Sequence, residues 1–262
     1  MNHRALLNHG FADSTWGNLG LWTQAQDYPA ACEALAVRLA DQVQLQPGHS
    51  VLDVGFGYGD QLLVWKKSYG VGRITGIETD AAGIAQARHK LAAFADVTLS
   101  LGDGRTRPAK ERYDRVLALD CAYHFAPRSA FFAQAYRALL PGGMLGLTDI
   151  VLADEENPAQ HARLARACGI PPENLLTQHT YGQALANLGF SNVRFERLDE
   201  DVLSGFSRFA LRLLRRQGAH ALNAGGLKIL TTALAAAWLR RGQRVHYVLV
   251  SAERSRAATA AR

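Results

Sequence analysis

The chain is expected to be an α/β protein, a doubly wound, seven-stranded and mostly parallel sheet with a helical N-terminal cap and a helical insertion before the last strand. Three observations lead there. Short apolar runs alternate with longer amphipathic segments over more than half of the chain, as when strands are joined by crossover helices. The strand runs are continuously apolar, which suits strands covered on both faces. The run Val51 to Val54 enters a glycine-rich turn, Gly55-Phe56-Gly57-Tyr58-Gly59, that opens a helix, the strand–turn–helix order of Rossmann-like folds. At roughly 150 residues per domain, 262 residues fit one core domain with decorations. The expected organisation is a helical cap or lid over residues 1–45 and one domain over 46–262, with the helical insertion at about 200–242.

Taken in order, the first forty residues read as helical, interrupted by an aromatic-rich turn from Trp16 to Trp22. Strands are expected at Ser50 to Val54, Arg73 to Ile77, Val97 to Leu99, Arg115 to Leu119 and Met144 to Val151. Helices are expected at Gln61 to Tyr69, Ala81 to Phe94 and Arg128 to Leu140. Pro141-Gly142-Gly143 should end the last of these, because proline disfavours helix in the residue before it and glycine tolerates a left-handed exit. Helical segments at Asp154 to Gly169 and Tyr181 to Leu188 follow, then a strand at Asn192 to Leu198, the insertion, and a final strand at Val245 to Ser251. Within the insertion, Phe206, Phe209, Ala210, Leu213 and Leu214 make an apolar stripe at helical spacing, with Arg208, Arg212, Arg215 and Arg216 around it. Such a stripe packs into a core, or else forms a substrate wall or a membrane-contacting face.

Hydrophobic residues at 48% and charged residues at 20% exclude disordered, collagen-like and coiled-coil readings. Residues 1–10 lack the apolar stretch of a signal peptide, and the uncharged run Ile229 to Leu239 is far shorter than the ~18 residues of a membrane span. Three cysteines, Cys32, Cys121 and Cys168, without paired spacing give neither a disulfide framework nor a zinc site, so no metal and a cytoplasmic location are expected. The net charge of +6 is unevenly spread. From Leu203 to Arg262 eleven basic residues face one acid, Glu253, which leaves the rest of the chain net negative. A segregated basic region attracts nucleic acid, an anionic membrane surface or an acidic partner, or is simply a solvated helix face.

The glycine turn carries the most information. A dinucleotide-binding turn would place glycine where this chain has Asp60, and the spacing here is D-x-G-x-G-x-G, from Asp53 through Gly55, Gly57 and Gly59. An acid beside the turn repels a pyrophosphate and suits a ligand carrying ammonium and sulfonium charges. Glu78 ends the second strand 19 residues past Gly59, where a carboxylate can accept both hydroxyls of a ribose. Asp103, in Gly102-Asp103-Gly104 after the third strand, is placed to accept from an adenine amino group. Singly, Glu78 reads as a helix-start acid and Asp103 as a turn residue. In this order they point to a nucleoside-bearing ligand.

On these residues the sequence resembles the class I S-adenosylmethionine-dependent methyltransferases over nearly its whole length. The resemblance implies that S-adenosylmethionine is the cofactor, held by Asp53, Gly55, Gly57, Gly59, Gln61, Glu78, Thr79, Asp103, Gly104 and Asp120. Asn18 to Trp22, Leu119 to Phe125 and Leu147-Thr148-Asp149 are similar to small-molecule enzymes of the sugar, tocopherol and sterol methyltransferase type. The chain departs from their commonest forms at Phe56, often cysteine, at Asp120, often glutamate, and at Tyr123, often histidine. The implied activity is methyl transfer to a hydroxyl of a hydrophobic small molecule, with an amine or carbon acceptor as variants. His124 and Asp149, near the ends of strands four and five, correspond to a histidine–carboxylate base pair in some members. They read equally as a loop histidine bonded to backbone and a capping aspartate. Cys121 has no activating arrangement and reads as a small buried thiol. Trp16 and Trp22 either close over the cofactor or pack an N-terminal helix. An RNA methyltransferase using the basic region, or a binding protein that transfers no methyl, are the other readings; a peripheral membrane contact and a homodimer remain open.

Overall fold

A computed structural model describes residues 3–105, 111–153, 157–242 and 244–256. The start of the helix expected at 154–169 and Arg262 of the basic tail lie outside these residues. In chain order the elements are α1 (His3–Leu7), α2 (Tyr28–Gln42), β1 (Ser50–Val54), α3 (Asp60–Lys67), β2 (Arg73–Glu78), α4 (Ala81–Lys90), β3 (Val97–Leu101) and β4 (Tyr113–Ala118). After a 3-10 turn at Ala122–His124 come α5 (Arg128–Ala138), β5 (Leu139–Leu152), α6 (Pro158–Ala167), α7 (Gln178–Asn187) and β6 (Phe190–Arg197). A π-helical turn at Asp199–Ser204 leads into α8 (Gly205–Gln217), α9 (Ala224–Gly242) and β7 (Val245–Arg254).

The seven strands lie in the order β3-β2-β1-β4-β5-β7-β6. All neighbours are parallel except β7, which runs antiparallel to both β5 and β6. Alternate residues of one strand feed different cores, as the two-residue strand period requires. Val51, Leu117 and Leu249 pack with α2, α3 and the α8–α9 pair on one face. Leu52, Val116, Val248 and Val250 pack with Phe131 and Phe132 of α5 and Tyr181 of α7 on the other. The continuously apolar strands are therefore apolar because both faces are covered. The chain order reverses between β1 and β4, and at such a point the carboxyl ends of two strands diverge into a crevice.

Two boundaries differ from the sequence expectation. Residues 8–27 are not helical. Asn18 bends the chain there, its side chain accepting from the Gly20 amide at 2.8 Å and donating to the Cys32 carbonyl at 3.3 Å. Asp27 then restarts the helix as the cap of α2, accepting from the Ala30 amide at 2.9 Å. Helix α5 stops at Ala138, before Pro141, and Pro141-Gly142-Gly143 lies inside the strand run of β5. Pairing with β4 slips there, from Tyr113 opposite Leu139 to Arg115 opposite Met144, so the tripeptide makes an irregularity in a strand instead of a helix stop.

Candidate active site

The β1–α3 turn is shaped by glycine where side chains would collide. Gly55 has φ +79°, and a Cβ there would meet the Cys121 Sγ at 2.6 Å. Gly59, at φ +90°, caps α3 in the left-handed region, and a Cβ there would meet Ala87 of α4 at 2.7 Å. Gly55 and Gly57 border an open cavity of about 1010 Å³ at the divergence of β1 and β4. Gln61, Glu78, Thr79, Asp103, Gly104, Asp120 and His124 line the same cavity. Asp53, Gly59 and Asp149 are not among its lining residues.

Asp53 points into the protein. Its fully buried carboxylate accepts from Gln61 Nε2 at 2.9 and 3.1 Å and from Trp65 Nε1 at 2.6 Å. Burial raises its pKa to about 7, opposed by those two donors. The expectation that Asp53 is among the residues that hold the cofactor is corrected for its side chain, because the carboxylate is turned onto α3 and braces strand against helix. Trp65 was not anticipated: a tryptophan in an amphipathic helix reads as core, and nothing in its spacing announces the bond to Asp53.

Glu78 stands at the cavity with both oxygens engaged. Oε2 accepts from the Gly57 amide at 2.7 Å, and Oε1 accepts from the amides of Thr79 at 2.7 Å and Asp80 at 3.0 Å. Asp103 is held by Arg105, which donates from Nε at 2.9 Å and pulls the Asp103 pKa down. Asp120 takes a left-handed φ of +55°, a strained choice for a side chain that its surroundings over-determine. Its carboxylate accepts from the Leu19 amide at 2.8 Å, Tyr247 Oη at 2.8 Å and Tyr123 Oη at 3.0 Å, while its own amide donates to Thr148 Oγ1 at 2.8 Å. Burial raises its pKa in spite of these donors. Through Leu19, Asp120 ties the N-terminal segment over the sheet, and Tyr247 reaches the same carboxylate from β7, remote in sequence.

His124 ends the 3-10 turn after β4 and is exposed on the cavity. Its Nδ1 lies 2.7 Å from the Gly169 carbonyl oxygen. A carbonyl only accepts, so Nδ1 carries a proton, and in the neutral ring this leaves the lone pair on Nε2. Asp149 does not join it. That carboxylate is buried between Tyr181 Oη at 2.8 Å and the Arg128 guanidinium at 3.2 Å. Burial raises the Asp149 pKa and Arg128 opposes the rise. The histidine–aspartate pair is thus corrected: Asp149 is on the face of β5 that packs on α5 and α7. A backbone carbonyl, invisible to any motif, orients the imidazole. The Cys121 thiol is pushed well up in pKa by burial and lacks an activating base. Trp16 borders the cavity, whereas Trp22 stacks on Phe209 at 4.6 Å.

The cavity divides by chemistry. Glu78, Asp103 and Asp120 gather at the carboxyl ends of β2, β3 and β4. Phe125, Ile150, Ile170, Phe206, Ile229 and Leu239 give the lining an apolar wall as well. Three carboxylates around a glycine turn suit a ligand with positive charges and nucleoside hydroxyls, and the volume reaches the upper range of small-molecule pockets. Among the described residues no cluster of histidine, cysteine or acidic side chains has the makings of a metal site.

This fold and this cavity define a class I S-adenosylmethionine-dependent methyltransferase, and the chain belongs to that family. Residues 51–143 match the family model described as a methyltransferase domain. The chain is 32% identical over 211 residues to the erythromycin 3''-O-methyltransferase of Saccharopolyspora erythraea, covering 76% of this chain and 69% of that protein. Among solved structures, a Galdieria sulphuraria protein described as a putative sarcosine dimethylglycine methyltransferase superposes with a TM-score of 0.81 at 16% identity, covering 95% of each chain. The geranyl diphosphate C-methyltransferase of Streptomyces coelicolor, solved with S-adenosyl-L-homocysteine, superposes with a TM-score of 0.71 at 16% identity, covering 91% of this chain and 89% of that one. The protein is an S-adenosylmethionine-dependent enzyme that methylates small molecules.

Proposed function

We propose that the acceptor atom is a hydroxyl of a hydrophobic, sugar-bearing small molecule and that His124 takes its proton. The observation that carries this reading is the contact of His124 Nδ1 with the Gly169 carbonyl at the edge of the cavity, which leaves Nε2 of the neutral ring as the acceptor. A neutral imidazole so held is suited to an alcohol, whose proton must leave as the new bond forms. The O-methyltransferase relative supports a hydroxyl, and the apolar wall supports a largely hydrophobic acceptor.

When bound, S-adenosylmethionine supplies a sulfonium-activated methyl group, transferred by in-line displacement. The residues of this chain hold and orient. Glu78 would accept the ribose hydroxyls, Asp103 and Gly104 would border the base, and the Gly55–Gly57 backbone, Asp120, Thr79 and Gln61 would hold the methionine end. Asp53 and Gly59 act through the turn they brace. The acceptor oxygen lies over the apolar wall within reach of His124 Nε2, so much of the rate comes from alignment. His124 Nε2 would take the hydroxyl proton as that oxygen accepts the methyl group, with the electron pair of the broken bond remaining on sulfur.

The test is S-adenosylhomocysteine formation across a panel of hydroxylated glycosides and their amine analogues. His124→Ala is expected to lower turnover by about 10²-fold or more with cofactor binding intact, the usual worth of a general base. Unchanged turnover would remove His124 from the chemistry. Glu78→Ala should weaken S-adenosylhomocysteine binding at least about tenfold, roughly 1.4 kcal/mol; wild-type affinity would end the ribose assignment.

A further inference from the structure

Helix α9 has two unlike faces. Ile229, Ala233 and Ala236 are buried against the core. On the outer side Leu227 is 61% exposed, Leu234 53% and Trp238 51%, with Leu230 between them and Leu222 just before the helix at 86%. Leu227, Leu230, Leu234 and Trp238 recur at helical spacing, so they form one stripe along the outer face of the helix. Scattered exposed leucines need no explanation, but four large apolar side chains in one stripe do.

The charges around the stripe choose its occupant. No acidic residue occurs between Asp201 and Glu253. Lys228 and Arg241 are exposed on α9 itself, and Arg212, Arg215 and Arg216 are exposed on α8, which packs against it. Of the acids on the turn that packs against α9, Glu200 is already paired with Arg208 at 2.9 Å and Arg240 at 2.7 Å, and Asp199 with His246 at 2.9 Å. Two copies meeting through this face would bring like charges together. An apolar stripe with a tryptophan near one end and an excess of exposed cations on its own helix and on α8 instead matches the boundary of an anionic bilayer, where leucines enter the acyl region and lysine and arginine meet headgroup phosphates.

We propose that α9 docks the enzyme on an anionic lipid surface. The helix also forms a wall of the catalytic cavity through Lys228, Thr231, Thr232 and Ala235, so the docked face lies beside the cavity and a lipophilic acceptor would enter from the bilayer. The docking itself is independent of which atom is methylated, and its test needs neither cofactor nor acceptor.

The test is flotation of the full chain with vesicles of phosphatidylcholine alone and of equal parts phosphatidylcholine and phosphatidylglycerol. Binding is expected only to the anionic vesicles, weakening with salt, with a blue shift of tryptophan emission that Trp238→Phe removes. The variant Leu227→Glu/Leu234→Glu, altered only at exposed positions, should bind anionic vesicles roughly tenfold or more weakly while keeping wild-type S-adenosylhomocysteine affinity. No flotation with anionic vesicles overturns the proposal. So does equal flotation of the double variant, or a wild-type dimer in sedimentation that the double variant splits, which would assign the face to a second copy. Salt-sensitive binding to RNA with no vesicle binding would overturn it as well.

Discussion

At Asp53 the cost of burying a carboxylate sets a pH dependence. Its folded pKa of about 7 lies above the ordinary value of 3.8, so the folded chain favours the protonated acid. That stabilisation is complete below about pH 4 and is lost as pH rises through about 7. Asp53→Asn keeps the shape without the charge. The melting temperature of the variant relative to wild type should therefore climb between pH 4 and 7 and level off above; a difference that stays flat across this range would contradict the buried ionisation. Burial raises the pKa of Asp149 too, but there a cation opposes the rise: Arg128, whose Nε and Nη1 have no hydrogen-bond partner and whose guanidinium lies 5.3 Å from the Tyr181 ring centre. Asp149→Ala would strand a buried cation and should cost about 3–5 kcal/mol of stability. Turnover per folded molecule should stay near wild type, and a selective loss of turnover at unchanged melting temperature would return Asp149 to the chemistry.

Among the elements, α8 depends on the N-terminal segment. Phe209 stacks on Trp22 at 4.6 Å and on Tyr28 at 5.5 Å, and the Trp22 amide donates to the Asp201 carbonyl at 2.9 Å. The stripe Phe206, Phe209, Ala210 thus packs into the core, and that choice follows from where α2 lies, which periodicity does not contain. Phe209→Ala should destabilise by about 3 kcal/mol, seen in thermal or urea melts. A loss below about 0.5 kcal/mol would mean the stack is incidental. The strands were legible to within a residue or two at most ends because continuous apolar runs have few other uses. The segment 8–27 was not, since side-chain bonds such as those of Asn18 compete with a helix that composition alone would allow.

For the whole molecule, the sequence suggests a helical cap or lid over residues 1–45, and Leu35 and Leu39 of α2 with Val43 just after it share one core with Val51 of β1, Trp65 of α3 and Leu249 of β7. The cap and the sheet are expected to unfold together. Far-ultraviolet and near-ultraviolet dichroism should give coincident thermal transitions; an early near-ultraviolet transition would mark the N-terminal segment as a unit of its own. Among the described residues no helix is long and apolar enough to cross a membrane.

By itself the sequence determined the α/β class, the glycine turn and the kind of ligand that turn accepts, because these rest on local backbone conformation and on short spacings within one strand–turn–helix unit. Most of the site residues it named do line the cavity, since the carboxyl ends of successive strands must meet at the switch point between β1 and β4. Only the tertiary structure decided which way Asp53 and Asp149 point, that Trp65 and Tyr247 bind buried carboxylates, and that the Gly169 carbonyl orients His124. Those outcomes depend on contacts between residues distant in the chain, where one buried charge or carbonyl selects its partner by proximity, and no local pattern records who that neighbour is.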